Sequence, residues 1–185
     1  MSTTQVTQWP DGVHNVMVTP FNSDETVSYE DLDKFLNNML ESNVAGIVTL
    51  GTTTETPVLS FDEKKQMVEY MSSRVKGKKF LTVGVGGNNT KQVAEFVKLC
   101  QPYVDGFMVT VPHYNKPEQR GIVAHFKYID DVVNCPCIMY NVPSRAGVNM
   151  LPETVIDVLK CTTHYVAIKE ASGDLDQIKK LINLV

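Results

Sequence analysis

A strand, a helix and a second strand are predicted by residues 80–111, which read FLTVGVGGNNTKQVAEFVKLCQPYVDGFMVTV. The ends of this stretch, Phe80–Val85 and Gly106–Val111, are short β-branched runs of strand length. Between them an apolar stripe recurs at the spacing of a helix face: Val93, Phe96, Val97 and Cys100. Because the apolar runs largely lack polar alternates, they are typical of parallel strands that are covered on both faces.

The same alternation recurs along the whole chain. Four further apolar runs of strand length are Val13–Val18, Gly46–Leu50, Cys137–Tyr140 and Val166–Lys169. Helix starts are predicted after Ser28, at the capping box Ser60–Glu63, and at Pro117 and Pro152, which suit the first turn of a helix. A last apolar stripe consists of Leu175, Ile178, Leu181, Ile182 and Val185. The pattern therefore predicts βα units of roughly 30 residues each.

Repeated βα units require a parallel sheet, which is either open and doubly wound or closed as a barrel. An eight-unit barrel takes about 250 residues, so this chain supplies about six units. No glycine-rich fingerprint follows the first strand, where the sequence reads Thr19-Pro-Phe-Asn22. The cluster Gly84-Val-Gly-Gly87 lacks the last glycine of that fingerprint, so a nicotinamide cofactor is not expected. With no linker of low complexity, residues 1–185 are predicted to form a single domain.

Composition and charge exclude several classes of protein. The chain has 185 residues, 17 Lys and Arg against 21 Asp and Glu, and a net charge of −4. Without a basic run, nucleic-acid binding is not expected, and no apolar stretch is long enough for a membrane helix. Four scattered cysteines and four dispersed histidines predict neither a disulfide framework nor a metal site. The polar N-terminus carries no signal pattern, so a soluble cytoplasmic enzyme or binding module is expected.

The residues that end each apolar run are the candidates for chemistry, because ligands collect at the carboxyl ends of parallel strands. Lys169 ends such a run, and burial there would lower the pKa of its amine. A neutral amine can attack a ketone and form a Schiff base. The alternatives are that Lys169 pairs with Glu170 or extends to the rim.

Three other run ends carry groups that could assist. Tyr140 ends the neighbouring run, and its phenol could move protons for an adjacent amine or could simply be a rim aromatic. Arg145 offers a planar fork suited to a carboxylate, although exposed loop arginines are common. The threonines at 52–54 could hold a carboxylate through hydroxyls and backbone amides, but threonines are also frequent at strand ends.

Four motifs occur together in the order and spacing of one family: Gly51-Thr-Thr-x-Glu55, Pro112-x-Tyr-Asn-Lys-Pro117, Tyr140-Asn-Val-Pro-Ser-Arg145 and Ile168-Lys-Glu-Ala-Ser-Gly173. From about Gly12 onward the chain resembles the dihydrodipicolinate synthase and N-acetylneuraminate lyase family of pyruvate-dependent aldolases. The resemblance implies a (β/α)8 TIM barrel with about six of its units in this chain.

The resemblance also implies roles for individual residues. Lys169 matches the lysine that forms a Schiff base with pyruvate, so no other cofactor is implied, and Tyr140 matches the proton-transferring tyrosine. Thr52 matches the relay threonine, and the backbone of Thr53 helps to hold the pyruvate carboxylate. Tyr114 matches the tyrosine that family members insert into the active site of a second subunit. Arg145 matches the arginine that binds the carboxylate of the aldehyde.

The implied reaction condenses pyruvate with L-aspartate 4-semialdehyde to hydroxytetrahydrodipicolinate, on the route to diaminopimelate and lysine. Arg145 favours this synthase activity over N-acetylneuraminate lyase or another 2-keto acid aldolase of the family, which stay as alternatives. A homodimer or homotetramer is implied. The chain stops before the last two βα units and the C-terminal helical extension, so a second alternative is a catalytically silent binding or assembly subunit.

The sequence also departs from the family pattern. Thr54 replaces a glycine, and a β-branched residue would be strained there if the backbone φ is positive. His113 replaces a tyrosine of the dimer seam, and Phe61 and Lys64 replace histidines of regulated members. These departures predict weak or absent feedback inhibition by lysine. The missing units also predict unpaired edges on the first and sixth strands and water access to Lys169.

Overall fold

The computed structural model describes residues 8–185, which form two compact units. The N-terminal unit comprises residues 10–84 and 102–106, and the C-terminal unit comprises residues 8–9, 85–101 and 107–185. The expectation of a single domain over residues 1–185 includes residues outside the described part, and it stays a prediction. In the described part, no helix combines the length and the apolar composition that crossing a bilayer requires.

The N-terminal unit alternates strands and helices in chain order. Its elements are β1 (His14–Val16), α1 (Tyr29–Glu41), β2 (Gly46–Thr49), α2 (Phe61–Val75) and β3 (Phe80–Val85, whose last residue falls in the C-terminal unit). Strand β2 pairs in parallel with both β1 and β3, and every residue of β2 is buried. Parallel pairing and burial on both faces explain why these strands read as continuous apolar runs.

The predicted helix starts of this unit are confirmed. The Ser28 side chain accepts from the backbone N–H of Asp31 and caps α1. Ser60 and Glu63 form the predicted capping box of α2, with reciprocal hydrogen bonds of 3.2 and 2.8 Å. Each cap satisfies backbone donors that an isolated helix start leaves free, and so fixes where the helix begins.

The C-terminal unit continues the alternation. Its elements are α3 (Thr90–Cys100), β4 (Gly106–Thr110, whose first residue falls in the N-terminal unit), α4 (Gln119–Asp130), β5 (Cys137–Asn141), α5 (Pro143–Ala146), α6 (Pro152–Cys161), β6 (Tyr165–Glu170) and α7 (Leu175–Leu184). Strand β5 pairs in parallel with β4 and β6. All six predicted strands are therefore present, and Pro152 opens α6 as predicted.

One expectation for the helices of this unit is wrong. Pro117 lies before α4, whose N-cap is Glu118, because Tyr114 and Lys116 adopt left-handed backbone conformations that keep this segment out of the helix. The apolar stripe of α7 is largely exposed: Leu181 is buried, but Leu175 and Ile182 are each 69% exposed. The periodicity thus predicts the helix correctly but not its burial.

Strand β6 is tied to the unit at its amino end by a buried carboxylate. Asp130, the last residue of α4, accepts hydrogen bonds from the backbone N–H of Thr163 at 3.0 Å and of His164 at 2.8 Å. The His164 side chain also lies 3.1 Å from Asp130. The start of β6 is therefore fixed by the end of α4, since a buried carboxylate needs such donors.

Candidate active site

Tyr140 and Lys169 face each other at the carboxyl ends of β5 and β6. They are register partners in the parallel pair, and Lys169 Nζ lies 4.2 Å from the centroid of the Tyr140 ring. Lysine and tyrosine thus meet as the sequence predicts, in a cation–π contact. The geometry brings a primary amine and a phenol to one place.

A register shift produces this pairing. Cys137 pairs with Tyr165, but Ile138 pairs with Ala167, so Val166 has no partner on β5. If the pairing continued from Cys137 and Tyr165 without this shift, Ile168 would lie opposite Tyr140. The irregularity at Val166 therefore aligns Lys169 with Tyr140, and nothing in the apolar pattern of the sequence signals it.

The expected burial of Lys169 is wrong, whereas the expected water access is confirmed. Tyr140 is 5% exposed, but the Lys169 side chain is exposed. The physical reason is that β6, among the described residues, pairs only with β5, so Val166 and Ala167 are exposed too. The residues that the structure describes therefore leave the Lys169 amine in contact with water.

The alternative that Lys169 pairs with Glu170 is not found. Successive residues of a strand point to opposite faces, and Glu170 contacts the face opposite the Lys169–Tyr140 pair. Its two carboxylate oxygens accept from Asn141 Nδ2 at 3.2 and 3.0 Å and from the backbone N–H of Ser172 at 2.7 Å. Among residues 8–185, no ion pair joins Lys169 to Glu170.

Asn141 and Glu170 are residues that the sequence reasoning missed as part of the site. Asn141 is fully buried at the end of β5, and it is the register partner of Glu170. A signal was available: each directly follows a candidate catalytic residue, and a buried polar side chain at the end of an apolar strand needs partners. Strand alternation places both behind the pair.

The loop that carries Tyr114 contacts the short helix that carries Arg145, and both belong to the C-terminal unit. The backbone N–H of Tyr114 donates to the carbonyl of Ala146 at 3.1 Å, next to Arg145. The Tyr114 side chain is 83% exposed, and its φ of 71° is left-handed. Arg145, on the short helix α5, is also exposed. Both side chains are therefore open to a ligand or to another chain.

Thr52 and Thr53 lie in the N-terminal unit, in a 3₁₀ helix (Thr52–Thr54) that follows β2, and both are exposed. This turn is fixed by its third residue. The Thr54 hydroxyl is fully buried, donates to the carbonyl of Met17 at 3.0 Å and accepts from the N–H of Gly51 at 3.2 Å. The positions of the two exposed threonines therefore depend on Thr54.

The strain considered for Thr54 is not found. The left-handed backbone falls instead on Glu55, the next residue, and on Leu50, four residues earlier, each with a φ of 54°. Thr54 has an ordinary helical conformation and uses its hydroxyl in the turn, so the departure from glycine adds contacts. The strain was expected only if φ at position 54 were positive, and the left-handed residue is instead Glu55, one position later.

Burial shifts the pKa values of three groups that lie away from the Lys169–Tyr140 pair. Burial raises the pKa of the Cys137 thiol and of the Tyr165 phenol, and it lowers the pKa of His125 to about 4. In the described part of the chain, no three His, Cys, Asp or Glu side chains gather as metal ligands.

A comparison with protein families decides the affiliation. The family model described as the dihydrodipicolinate synthetase family matches residues 10–185. The chain belongs to this family. Two similar proteins are 4-hydroxy-tetrahydrodipicolinate synthases: that of Parabacteroides distasonis, 40% identical over 92% of this chain, and that of Leptospira biflexa, 41% identical over 93%. The chain spans 58% of the length of each.

Solved structures of family members agree with the fold. The synthase of Methylacidiphilum fumariolicum matches with a TM-score of 0.92 and 30% identity, over 96% of this chain and 59% of that one. The enzyme of Thermotoga maritima matches with a TM-score of 0.89 and 37% identity, over 94% and 59%. The predicted fold class, a (β/α)8 barrel family with about six units in this chain, is confirmed.

A third structure bears on the ligand. The synthase of Acinetobacter baumannii, 32% identical with a TM-score of 0.89, covers 94% of this chain and 60% of its own, and it was solved in complex with pyruvate. The named relatives catalyse a lyase reaction of lysine and diaminopimelate biosynthesis.

Proposed function

We propose that this chain acts as a pyruvate-dependent lyase of the synthase type, with Lys169 as its nucleophile. The observation that carries the proposal is the contact of Lys169 Nζ with the Tyr140 ring, 4.2 Å from its centroid. An amine and a phenol at the carboxyl ends of neighbouring parallel strands are suited to Schiff-base chemistry on a small keto acid.

The proposed steps begin at Lys169 and Tyr140. The neutral amine of Lys169 attacks the ketone carbon of pyruvate, and the carbinolamine then loses water to give an imine. The Tyr140 hydroxyl moves the proton that this dehydration requires. Loss of a methyl proton gives an enamine, whose carbon attacks the aldehyde of L-aspartate 4-semialdehyde. The aldehyde oxygen takes a proton and becomes the hydroxyl group. The amino group of the semialdehyde then attacks the imine carbon and displaces the Lys169 amine, which closes the ring of hydroxytetrahydrodipicolinate.

Four other residues complete the proposal. The Thr52 hydroxyl relays protons, and the backbone of Thr53 holds the pyruvate carboxylate. Arg145 binds the carboxylate of the aldehyde, for which its exposure and its planar fork are suited. The exposure of Tyr114 supports its insertion into a second subunit, so that the active form is a homodimer or a homotetramer.

The exposed Lys169 sets a condition on this proposal. An amine in contact with water favours its charged form, whereas attack on pyruvate needs the neutral form. The active form therefore shields Lys169 with further polypeptide, either additional βα units or a partner. A cytoplasmic location, the absence of any cofactor beyond the Schiff base, and weak lysine feedback stay predictions.

The test is chemical trapping. The protein is incubated with pyruvate and reduced with borohydride, and its mass and peptide map are measured. We expect an N-(1-carboxyethyl) group on Lys169 in the wild type and none in Lys169→Arg, which keeps the charge but not the nucleophile. Tyr140→Phe keeps the ring beneath the amine and should slow trapping by about 10²-fold or more.

An unmodified wild-type protein would favour the alternative that the chain is a catalytically silent binding subunit. A second assay, turnover of pyruvate with aspartate semialdehyde, separates the synthase activity from the other aldolase activities of the family.

A further inference from the structure

The face of β5 and β6 opposite the reacting pair carries a second pair of register partners. Asn141 follows Tyr140, and Glu170 follows Lys169. Asn141 Nδ2 donates to both oxygens of Glu170, at 3.2 and 3.0 Å, so the carboxylate spans the two strand ends. The amine–phenol contact therefore has a hydrogen-bonded brace directly behind it.

The brace continues into the chain that follows β6. The backbone N–H of Ser172 donates to Glu170 at 2.7 Å, and the N–H of Ala171 donates to the Asn141 carbonyl at 2.9 Å. Gln177 Nε2, on α7, donates to the second carboxylate oxygen at 3.3 Å. Glu170 thus fixes the turn after β6 as well as the pairing of the strand ends.

Neutral amides surround this carboxylate and fix its partners in turn. Asn149 accepts from Asn141 Nδ2 at 2.9 Å and exchanges two hydrogen bonds with Gln177, at 2.7 and 3.1 Å. Gln119, on α4, donates to the Asn149 carbonyl at 2.9 Å. In the range 8–185 no lysine, arginine or histidine forms an ion pair with Glu170. Every group aimed at its two oxygens is a donor, which only a carboxylate satisfies on both sides.

We propose that Glu170 is a positioning residue: through Asn141 it locks the ends of β5 and β6 so that the Lys169 amine stays over the Tyr140 ring. Reactions of bound groups are sensitive to displacements of about 1 Å, which can cost about 10²-fold in rate. The exposed stem of Lys169 gives it little packing of its own, so its placement depends on the backbone that Glu170 holds. This inference rests on the proposed Schiff-base function for its kinetic consequence.

The first test replaces the carboxylate by an amide. Glu170→Gln keeps the size but turns one NH2 toward donors, so the brace loses hydrogen bonds on at least one side. We expect trapping of the pyruvate adduct at Lys169 to slow by about tenfold to a hundredfold. The matched control is Glu153→Gln, which removes the charge of a surface glutamate that pairs with Lys180, and it should trap at the wild-type rate.

Exchanging the amide and the carboxylate between positions 141 and 170 distinguishes a positioning role from a general loss of structure. Asn141→Asp alone sets two carboxylates against each other and should also slow trapping. The double variant Asn141→Asp with Glu170→Gln restores an amide facing a carboxylate, and we expect it to recover at least part of the rate that either single variant loses. A rate for Glu170→Gln within about twofold of the wild type would overturn the proposal. If this variant does not fold, Glu170→Asp is measured against the same limit.

A spectroscopic readout keeps the inference testable without any chemistry. The Tyr140 ring beneath the amine should shift the NMR resonances of the Lys169 ε-methylene protons upfield. We expect this shift to shrink in Glu170→Gln and to persist in Glu153→Gln. If the wild type forms no pyruvate adduct, the proposed function fails. The upfield shift of the Lys169 protons is then the only test of whether Glu170 positions the amine. An unchanged shift in a folded Glu170→Gln protein would then overturn the positioning role.

Discussion

His125 is a buried histidine whose protonation opposes folding. It lies on α4, is 3% exposed, and its Nδ1 is 2.9 Å from Thr90 Oγ1. Burial disfavours the imidazolium and lowers the pKa from 6.5 to about 4, against a smaller opposing effect of the Thr110 backbone. Below about pH 6.5 the unfolded chain therefore binds a proton that the folded chain does not, and stability falls as the pH drops toward 4.

The size of this effect can be predicted and measured. A pKa difference from 6.5 to about 4 corresponds to about 3 kcal/mol over the whole window. Between about pH 7 and about pH 4.5, urea unfolding of His125→Gln should lose about 2 kcal/mol less stability than the wild type. The exposed His113→Gln is the control and should behave as the wild type. Equal losses in all three proteins would contradict the assignment.

At the residue scale, the chemistry of the site was readable from the sequence but its environment was not. Lys169 and Tyr140 stand out because a lysine and a tyrosine end apolar runs, and strand alternation gives them a common face. The exposure of Lys169 depends on which strands pair with β6, and Glu170 finds its partners on α7 and β5. Such contacts between distant segments leave no local pattern.

The 3₁₀ helix Thr52–Thr54 offers a test at the scale of a single element. Thr54→Val removes the hydroxyl that bonds the Met17 carbonyl and the Gly51 N–H, which leaves two buried backbone groups unpaired. We expect a loss of about 1–3 kcal/mol in the free energy of unfolding. The adjacent, exposed Thr53→Val should change it by less than about 0.5 kcal/mol. Similar losses in both variants would show that the hydroxyl of Thr54 is not what fixes the turn.

The elements themselves were predicted well where local signals exist. Apolar runs and caps gave all six strands and the starts of α1, α2 and α6, because burial and capping act over a few residues. The four-residue helix α5 and the unpaired Val166 were missed. Both depend on how the strands align, and an apolar run reads the same in either register.

At the scale of the whole molecule, the exposed Tyr114 leads to a prediction about assembly. If Tyr114 acts in the active site of a second copy, Tyr114→Phe and Lys169→Arg chains should each be nearly inactive, but complementary when mixed. Half of the dimers in an equal mixture are hybrids with one complete site, so about a quarter of wild-type turnover should return. Activity is measured after joint refolding, with separately refolded chains as the control. No recovery in verified hybrid dimers would place Tyr114 in its own subunit's site.

The overall architecture could be inferred because βα alternation admits few topologies. The motifs at the strand ends then narrowed the family, and the match over residues 10–185 confirmed it. The exposure of α7 was not foreseen, because an amphipathic stripe predicts a face that can be covered and not the segment that covers it.

Two carboxylates, Asp130 and Glu170, also explain how β6, which pairs only with β5 among residues 8–185, keeps its alignment. Asp130 accepts hydrogen bonds from the backbone N–H groups of Thr163 and His164, just before the strand. Glu170 accepts one from the backbone N–H of Ser172, just after it. A strand that is free along one side is prone to slide by a residue or to recruit a foreign strand. A change of register in β6 would require the hydrogen bonds at both of its ends to break. The strand therefore keeps its register while its second edge stays available for pairing with another strand.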